Sequence, residues 1–176
     1  MDIRFKGASL PYYERILNTA VSQEDTAETI VSDALPDVAE LLMTDGQSLI
    51  RGKDVHHSGI SVTGISELTV LYRTEEGSLG RLPVDIPFET EISFNISEDA
   101  SKIVASVHLT SCEARILNSR KLLLRAEVCI TVSVWSPRTL RWAEGADAEG
   151  CRVEIKTECC TLQPVCEVEE KTFSAE

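Results

Sequence analysis

From Lys121 to Trp135 the chain places Leu122, Leu124, Ala126, Val128, Ile130, Val132 and Val134 at every second position. A period of two belongs to a β-strand, whose successive side chains point to opposite faces. An alternating run of this length reads as a central strand with one buried face and one wetter face, the pattern of antiparallel sheets. Ser136-Pro137 is the expected end of it.

Other segments repeat the pattern in shorter form. Leu82, Val84, Ile86 and Phe88 alternate strictly, while Pro83 and Pro87 fall on the opposite phase. Proline cannot donate to a sheet ladder, so this strand is expected at an edge or leaving the ladder early. Ile60, Val62, Ile65, Leu68, Val70 and Tyr72 mark another strand, with a phase shift that predicts a bulge around Gly64. Ile103, Ala105, Val107 and Leu109 mark a further one. His56-His57-Ser58-Gly59, Thr74-Glu75-Glu76-Gly77-Ser78, Ser97 to Ser101 and Asn118-Ser119-Arg120 read as the turns between them. Near the start, Leu10-Pro11 is expected to interrupt regular structure. The β-branched residues from Thr19 to Val31 favour extended chain on either side of a polar bend at Gln23-Glu24-Asp25. Together these features predict a mainly β fold, an antiparallel β-sandwich or open barrel.

One stretch breaks the strand period. Between Ser32 and Gly46, Val38, Leu41 and Leu42 stand at i, i+3 and i+4, the spacing of a helix face. Ser32 or Asp33 suits a cap, and Pro36 suits a first turn. Asp37 and Glu40 complement the positive end of the dipole, and Gly46 suits a left-handed close. A short helix near residues 36–44 is therefore expected. At about two turns it is too short to persist alone, so it must dock on the sheet, at an open end or along an edge.

The expected domain runs from residue 10 to 137. Residues 138–176 read as an acidic, Cys-rich linker or the start of a following module, with Cys151 to Lys156 a candidate strand and Cys159-Cys160 to Pro164 breaking it. A last segment ending on alternating charge reads as a cut between modules of a longer protein.

Charge excludes several functions. With 17 basic against 29 acidic residues the net charge is -12, which opposes nucleic acid and anionic membrane surfaces. No run approaches the roughly 18 apolar residues of a membrane helix, so no membrane insertion is expected. The opening Met-Asp-Ile-Arg-Phe-Lys lacks the apolar core of a signal peptide, which predicts a cytoplasmic protein whose six cysteines are reduced thiols.

Motifs for catalysis are weak. His56 and His57 are adjacent and would face opposite sides of a strand, and His108 lies on a polar phase. Cys112, Cys129, Cys151, Cys159, Cys160 and Cys166 contain no Cys-x-x-Cys, so a metal or thiol site in the tail is a minor alternative and no cofactor is expected. Gly46 and Gly52-Lys53 resemble a phosphate loop only loosely, because the spacing is one residue too long and Asp54 replaces the required hydroxyl. Neither Gly-x-Ser-x-Gly nor His-Glu-x-x-His occurs. No catalytic constellation stands out among these residues. A carbohydrate or peptidoglycan binder is the other alternative, with Tyr12, Tyr13, Tyr72, Trp135 and Trp142 as its few aromatic candidates.

Asp33-Ala34-Leu35-Pro36-Asp37-Val38-Ala39-Glu40-Leu41-Leu42, then Thr44-Asp45-Gly46 and Arg51-Gly52-Lys53-Asp54-Val55, resemble the SPOCS domain of spore-forming clostridia and their relatives. Gly64, Val70-Leu71-Tyr72-Arg73, Leu82 to Phe88 and Ala114 to Glu127 extend the resemblance over about residues 10–137. It implies a non-catalytic protein–protein interaction module, often repeated and often followed by a LysM domain, that assembles the spore coat or envelope in the mother-cell cytoplasm at the forespore surface. The implied partners are other spore coat or forespore-surface proteins, and homo-oligomerisation is open. The signature positions are Asp33, Pro36, Asp37, Val38, Leu41, Leu42, Asp45, Gly46, Gly52 and Lys53, in a structural role. This chain carries no LysM segment.

Overall fold

The computed structural model describes residues 3–94, 102–148, 150, 154, 156 and 158–171. Among the described residues six strands follow one another: β1 (Ile3–Ile30), β2 (Val38–His56), β3 (Gly59–Thr74), β4 (Leu79–Ser93), β5 (Lys102–Asn118) and β6 (Lys121–Ala148). They form two three-stranded antiparallel sheets, ordered β1-β6-β5 and β2-β3-β4. By contacts the chain divides into two units. One comprises the described parts of Met1–Leu17, Glu98–Val104 and Ser133–Glu176; the other comprises those of Asn18–Ser97 and Ala105–Val132.

The second unit holds the main core, and there both sheets contribute to it. Leu122, Leu124 and Ala126 of β6 share it with Leu68, Val70 and Tyr72 of β3 and Leu82, Val84 and Ile86 of β4. Leu109, Cys112 and Ala114 of β5 pack at its margin. This is a sandwich arrangement, and among the described residues no closed barrel forms. The alternating run behaves as its period requires. β6 is central in its sheet, and its even-numbered positions from Leu122 to Val134 are buried. β6 does not stop at Ser136-Pro137; Ser136 is buried, Pro137 is exposed, and the strand continues to Ala148.

β4 lies at a sheet edge, as its prolines require, and stays paired with β3 from Leu79 to Ser93. Leu10-Pro11 does not interrupt β1, because β1 is itself an edge strand and tolerates an exposed proline. No bend occurs at Gln23-Glu24-Asp25. Gln23 and Asp25 are half-buried on one face, joined by amide–carboxylate hydrogen bonds of 2.9 and 3.0 Å, and Thr90 of β4 donates its hydroxyl proton to the Gln23 amide oxygen. The turns at His57-Ser58, Glu75 to Ser78 and Ser119-Arg120 fall where expected. The expected turn at Ser97 to Ser101 and most of the candidate strand Cys151 to Lys156 lie outside the described residues.

The expected docked helix is absent: among the described residues there is no helix. Asp33 to Leu35 form a turn, closed by the Leu35 N–H donating to the Ser32 carbonyl at 2.8 Å. From Val38 onward the chain is strand, paired with β3. The helix-like spacing has a geometric cause. Register shifts fall between Val38 and Glu40 and between Leu41 and Met43. Each adds one residue, so the positions opposite Thr74, Tyr72 and Val70 are Val38, Leu41 and Thr44. Two bulges thus turn a period of two into a spacing of three on the inner face. Val38 is buried and Leu41 half-buried against the core, whereas Leu42 and Met43 point outward, 40% and 53% exposed. Pairing along β3 satisfies backbone groups that a two-turn helix would leave open on that edge.

The expected bulge at Gly64 is displaced in the same way. The β3–β4 register runs without a shift, and the irregularity lies across the ladder in β2, between Ile50 and Gly52. Gly64 and Ser66 hold the buried phase and Ile65 the other one. A Cβ at Gly64 would stand 2.2 Å from the Phe88 ring and 2.4 Å from the Leu49 carbonyl oxygen, so the glycine makes room for both.

Candidate functional site

Part of the sequence-selected set, Asp33, Asp37 and Val38, meets around Arg120, in the turn between β5 and β6. The crossover from β1 to β2, residues 31–37, carries backbone carbonyls that no ladder satisfies. Arg120 answers several at once. Its Nη2 donates to the Ser32 carbonyl at 2.8 Å, with longer bonds to Val31 at 3.3 Å and Leu35 at 3.5 Å. Its Nη1 donates to Asp37 Oδ1 at 2.6 Å, and Asp33 lies 3.2 Å from Nη2. Ser119 Oγ donates to the other Asp37 oxygen at 2.9 Å. Backbone bonds of 2.8 Å, from Val31 N–H to the Arg120 carbonyl and from Val38 N–H to the Ser119 carbonyl, complete the fastening. Only the planar fork of an arginine reaches a carboxylate and neighbouring carbonyls together.

Asp33, Asp37 and Val38 therefore meet one cluster. Pro36 joins through its carbonyl, which accepts the Tyr72 hydroxyl at 3.3 Å. Leu41 packs against the core below. The remaining signature positions lie elsewhere. Leu42 faces outward. Asp45 accepts the Gly46 N–H at 2.9 Å, and Gly46 sits in the strand opposite Leu68 at negative φ, not as a helix close. Gly52 and Lys53 pair with Thr63 and Val62, so the residues compared with a phosphate loop are part of a ladder. The sequence reading placed Arg120 in a tight connection and missed its role. The available signal was a lone cation in a turn, with two aspartates flanking another turn far back in the chain.

A second feature lies within the first unit. Leu10, Tyr12, Tyr13, Arg15, Trp135 and Leu140 line a groove of about 540 Å³, closed on one side by Leu162, Gln163, Pro164 and Val165. β1 and β6 position its aromatics: Tyr12 and Tyr13 are half-buried on β1, and Trp135 is half-buried on β6. The Arg15 guanidinium carbon lies 5.7 Å from the centre of the Trp135 ring, a cation–π contact. The tail reaches the groove through one strand-like bridge, the Tyr13 N–H donating to the Val165 carbonyl at 2.7 Å. Further along, the Lys102 ammonium donates to the Val168 carbonyl and lies 5.4 Å from the centre of the Tyr13 ring. Of residues 158–171, Val168 alone is buried. One bridge and one buried valine are worth about 3 kcal/mol together.

Three of the five aromatic candidates meet here. Tyr72 is fully buried in the core and Trp142 does not line the groove. Among the described residues the thiols form no metal-holding group, and Cys151 lies outside those residues. Cys159, Cys160 and Cys166 are exposed on the tail. Cys112 donates to the Thr44 carbonyl at 3.5 Å, and burial, with a smaller push from Asp45, raises its pKa above the ordinary thiol value. His56, His57 and His108 are exposed. Among the described residues no helix is long and apolar enough to cross a membrane.

No family model, no curated protein and no solved structure matches the chain.

Proposed function

We propose that this chain is a non-catalytic protein–protein interaction module of spore coat or envelope assembly, acting in the mother-cell cytoplasm at the forespore surface. Its partners are other coat or forespore-surface proteins. The observation that carries the reading is the fate of the SPOCS-like residues around Arg120. Asp33, Asp37 and Ser119 are engaged in tying the β1–β2 crossover to the β5–β6 turn. A sequence pattern spent on framework fits a module whose task is to present a surface. Pull-downs from sporulating cells test it: coat or forespore-surface proteins are expected on the bait. Recovery of none of them, with equal expression of the protein in vegetative cells, refutes the reading.

A second reading draws on the groove. Tyr12, Tyr13 and Trp135 share one open surface with Arg15, an arrangement that suits stacking against sugar rings. Binding to cell-wall fragments, measured for the intact chain and for Trp135→Ala, separates it from the first. Retention that vanishes with Trp135→Ala favours the glycan.

A further inference from the structure

We infer that residues 162–168 are an autoinhibitory strap: the segment closes the aromatic groove of β1 and β6 in its own chain, and an outside ligand reaches Tyr13 and Trp135 only when it lifts. The inference rests on the second reading above, in which this groove takes a glycan, and adds the regulation of that site. β1 is an edge strand in its sheet order. Its Tyr13 N–H is spent on the Val165 carbonyl at 2.7 Å. Leu162 to Val165 line the same groove as Tyr12, Tyr13 and Trp135, so strap and ligand compete for one surface. The other anchor lies outside the groove. Lys102 of β5 donates to the Val168 carbonyl, and its ammonium stands 5.4 Å from the centre of the Tyr13 ring. Lys102 thereby holds the strap and one of the groove's aromatics together.

Weak seating distinguishes this strap from the framework. The contact of Val165 with Tyr13 is an isolated bridge and not part of a ladder. Of residues 158–171 only Val168 is buried, while Leu162 is 57% and Val165 38% exposed. Segments with one backbone bond and little buried apolar surface open locally without unfolding the rest. Once the cost of ordering the strap is subtracted from its bridge and its buried valine, the closed form exceeds the open one by about ten- to a hundredfold. A ligand that binds only the open groove has its apparent affinity lowered by that same factor, and regains it when the strap is released.

The test uses the full chain and two variants. Val168→Asn sets an amide at the buried anchor without changing the charge. Lys102→Met removes the ammonium from outside the groove. Hydrogen exchange at the Tyr13 amide reads closure without any ligand. In the parent chain this amide is expected to be protected about ten- to a hundredfold, to lose that protection in Val168→Asn and to lose part of it in Lys102→Met. Core amides of β6 that stay as protected as in the parent establish that both variants are folded. Retention on cell-wall fragments is expected to strengthen in Val168→Asn by the factor its Tyr13 amide lost. An unprotected Tyr13 amide in the parent chain overturns the inference, as does protection that neither variant lowers. Equal retention of the parent and of a Val168→Asn chain with a released Tyr13 amide overturns it too, because the strap then does not compete with the ligand. If neither chain is retained, the glycan reading fails, and the Tyr13 amide alone decides whether the strap closes the groove.

Discussion

Replacing Arg120 with alanine probes the fastening most directly. The substitution removes the 2.6 Å ion pair to Asp37 and the 2.8 Å bond to the Ser32 carbonyl, with the weaker bonds to Val31 and Leu35. A hydrogen bond involving a charged partner contributes about 1.5–3 kcal/mol when well shielded. Arg120 and Asp37 are 34% and 38% exposed, so screening moves each of the two short contacts toward about 1 kcal/mol. Asp33 is fully exposed and is left out of the sum. The expected loss is therefore about 2–3 kcal/mol, a drop of roughly 1–2 M in a urea midpoint for a slope near 1.5–2 kcal/mol/M. Arg120→Lys keeps the charge but not the fork, and is expected to recover about half. A cycle with Asp37→Ala should return a coupling of about 1 kcal/mol. A loss below about 0.5 kcal/mol for Arg120→Ala, the range of an indifferent surface change, refutes the fastening. Full rescue by lysine would show that charge alone matters there.

Two further substitutions bear on the strand that replaces the expected helix. Leu41→Asp places a charge against the core and is expected to lose at least about 3 kcal/mol in urea unfolding, whereas Leu42→Asp, on the outward side of the bulge, is expected to stay within about 0.5 kcal/mol. Equal sensitivity at both positions contradicts the bulged register. Gly64→Ala sets a methyl against the Phe88 ring and the Leu49 carbonyl oxygen. The ring can turn away but the backbone oxygen cannot, so a loss of about 1–3 kcal/mol is expected in the same assay. An unchanged midpoint would show that β2 and β4 do not close on β3 as described.

The structure depends on period, and period survives in the sequence only where strands are regular. β4, and β6 as far as Trp135, were legible from alternation alone, and the prolines of β4 marked an edge because a missing N–H has one acceptable direction; the run of β6 on to Ala148 was not legible. The span of β1 was harder to read, since Leu10-Pro11 looks like a break until the strand is known to be an edge. β2 was misread because its inner face is spaced by bulges, and a bulge is defined by its partner strand. Val38, Leu41 and Thr44 share a face only because Thr74, Tyr72 and Val70 stand opposite them.

The candidate sites divide along the same line. The chain alone determined a β-rich fold with an aliphatic core, the turns at His57-Ser58, Glu75 to Ser78 and Ser119-Arg120, the central strand and a net acidic charge. These follow from side-chain chemistry and near-neighbour spacing. Tertiary structure decided that Arg120 belongs with Asp33 and Asp37, and that Tyr12 and Tyr13 belong with Trp135 and Val165. Such groupings need contacts between residues far apart in the chain, and no local period encodes them. It also decided that Leu42 faces outward and Leu41 inward, because one added residue in a ladder reverses the face of everything after it.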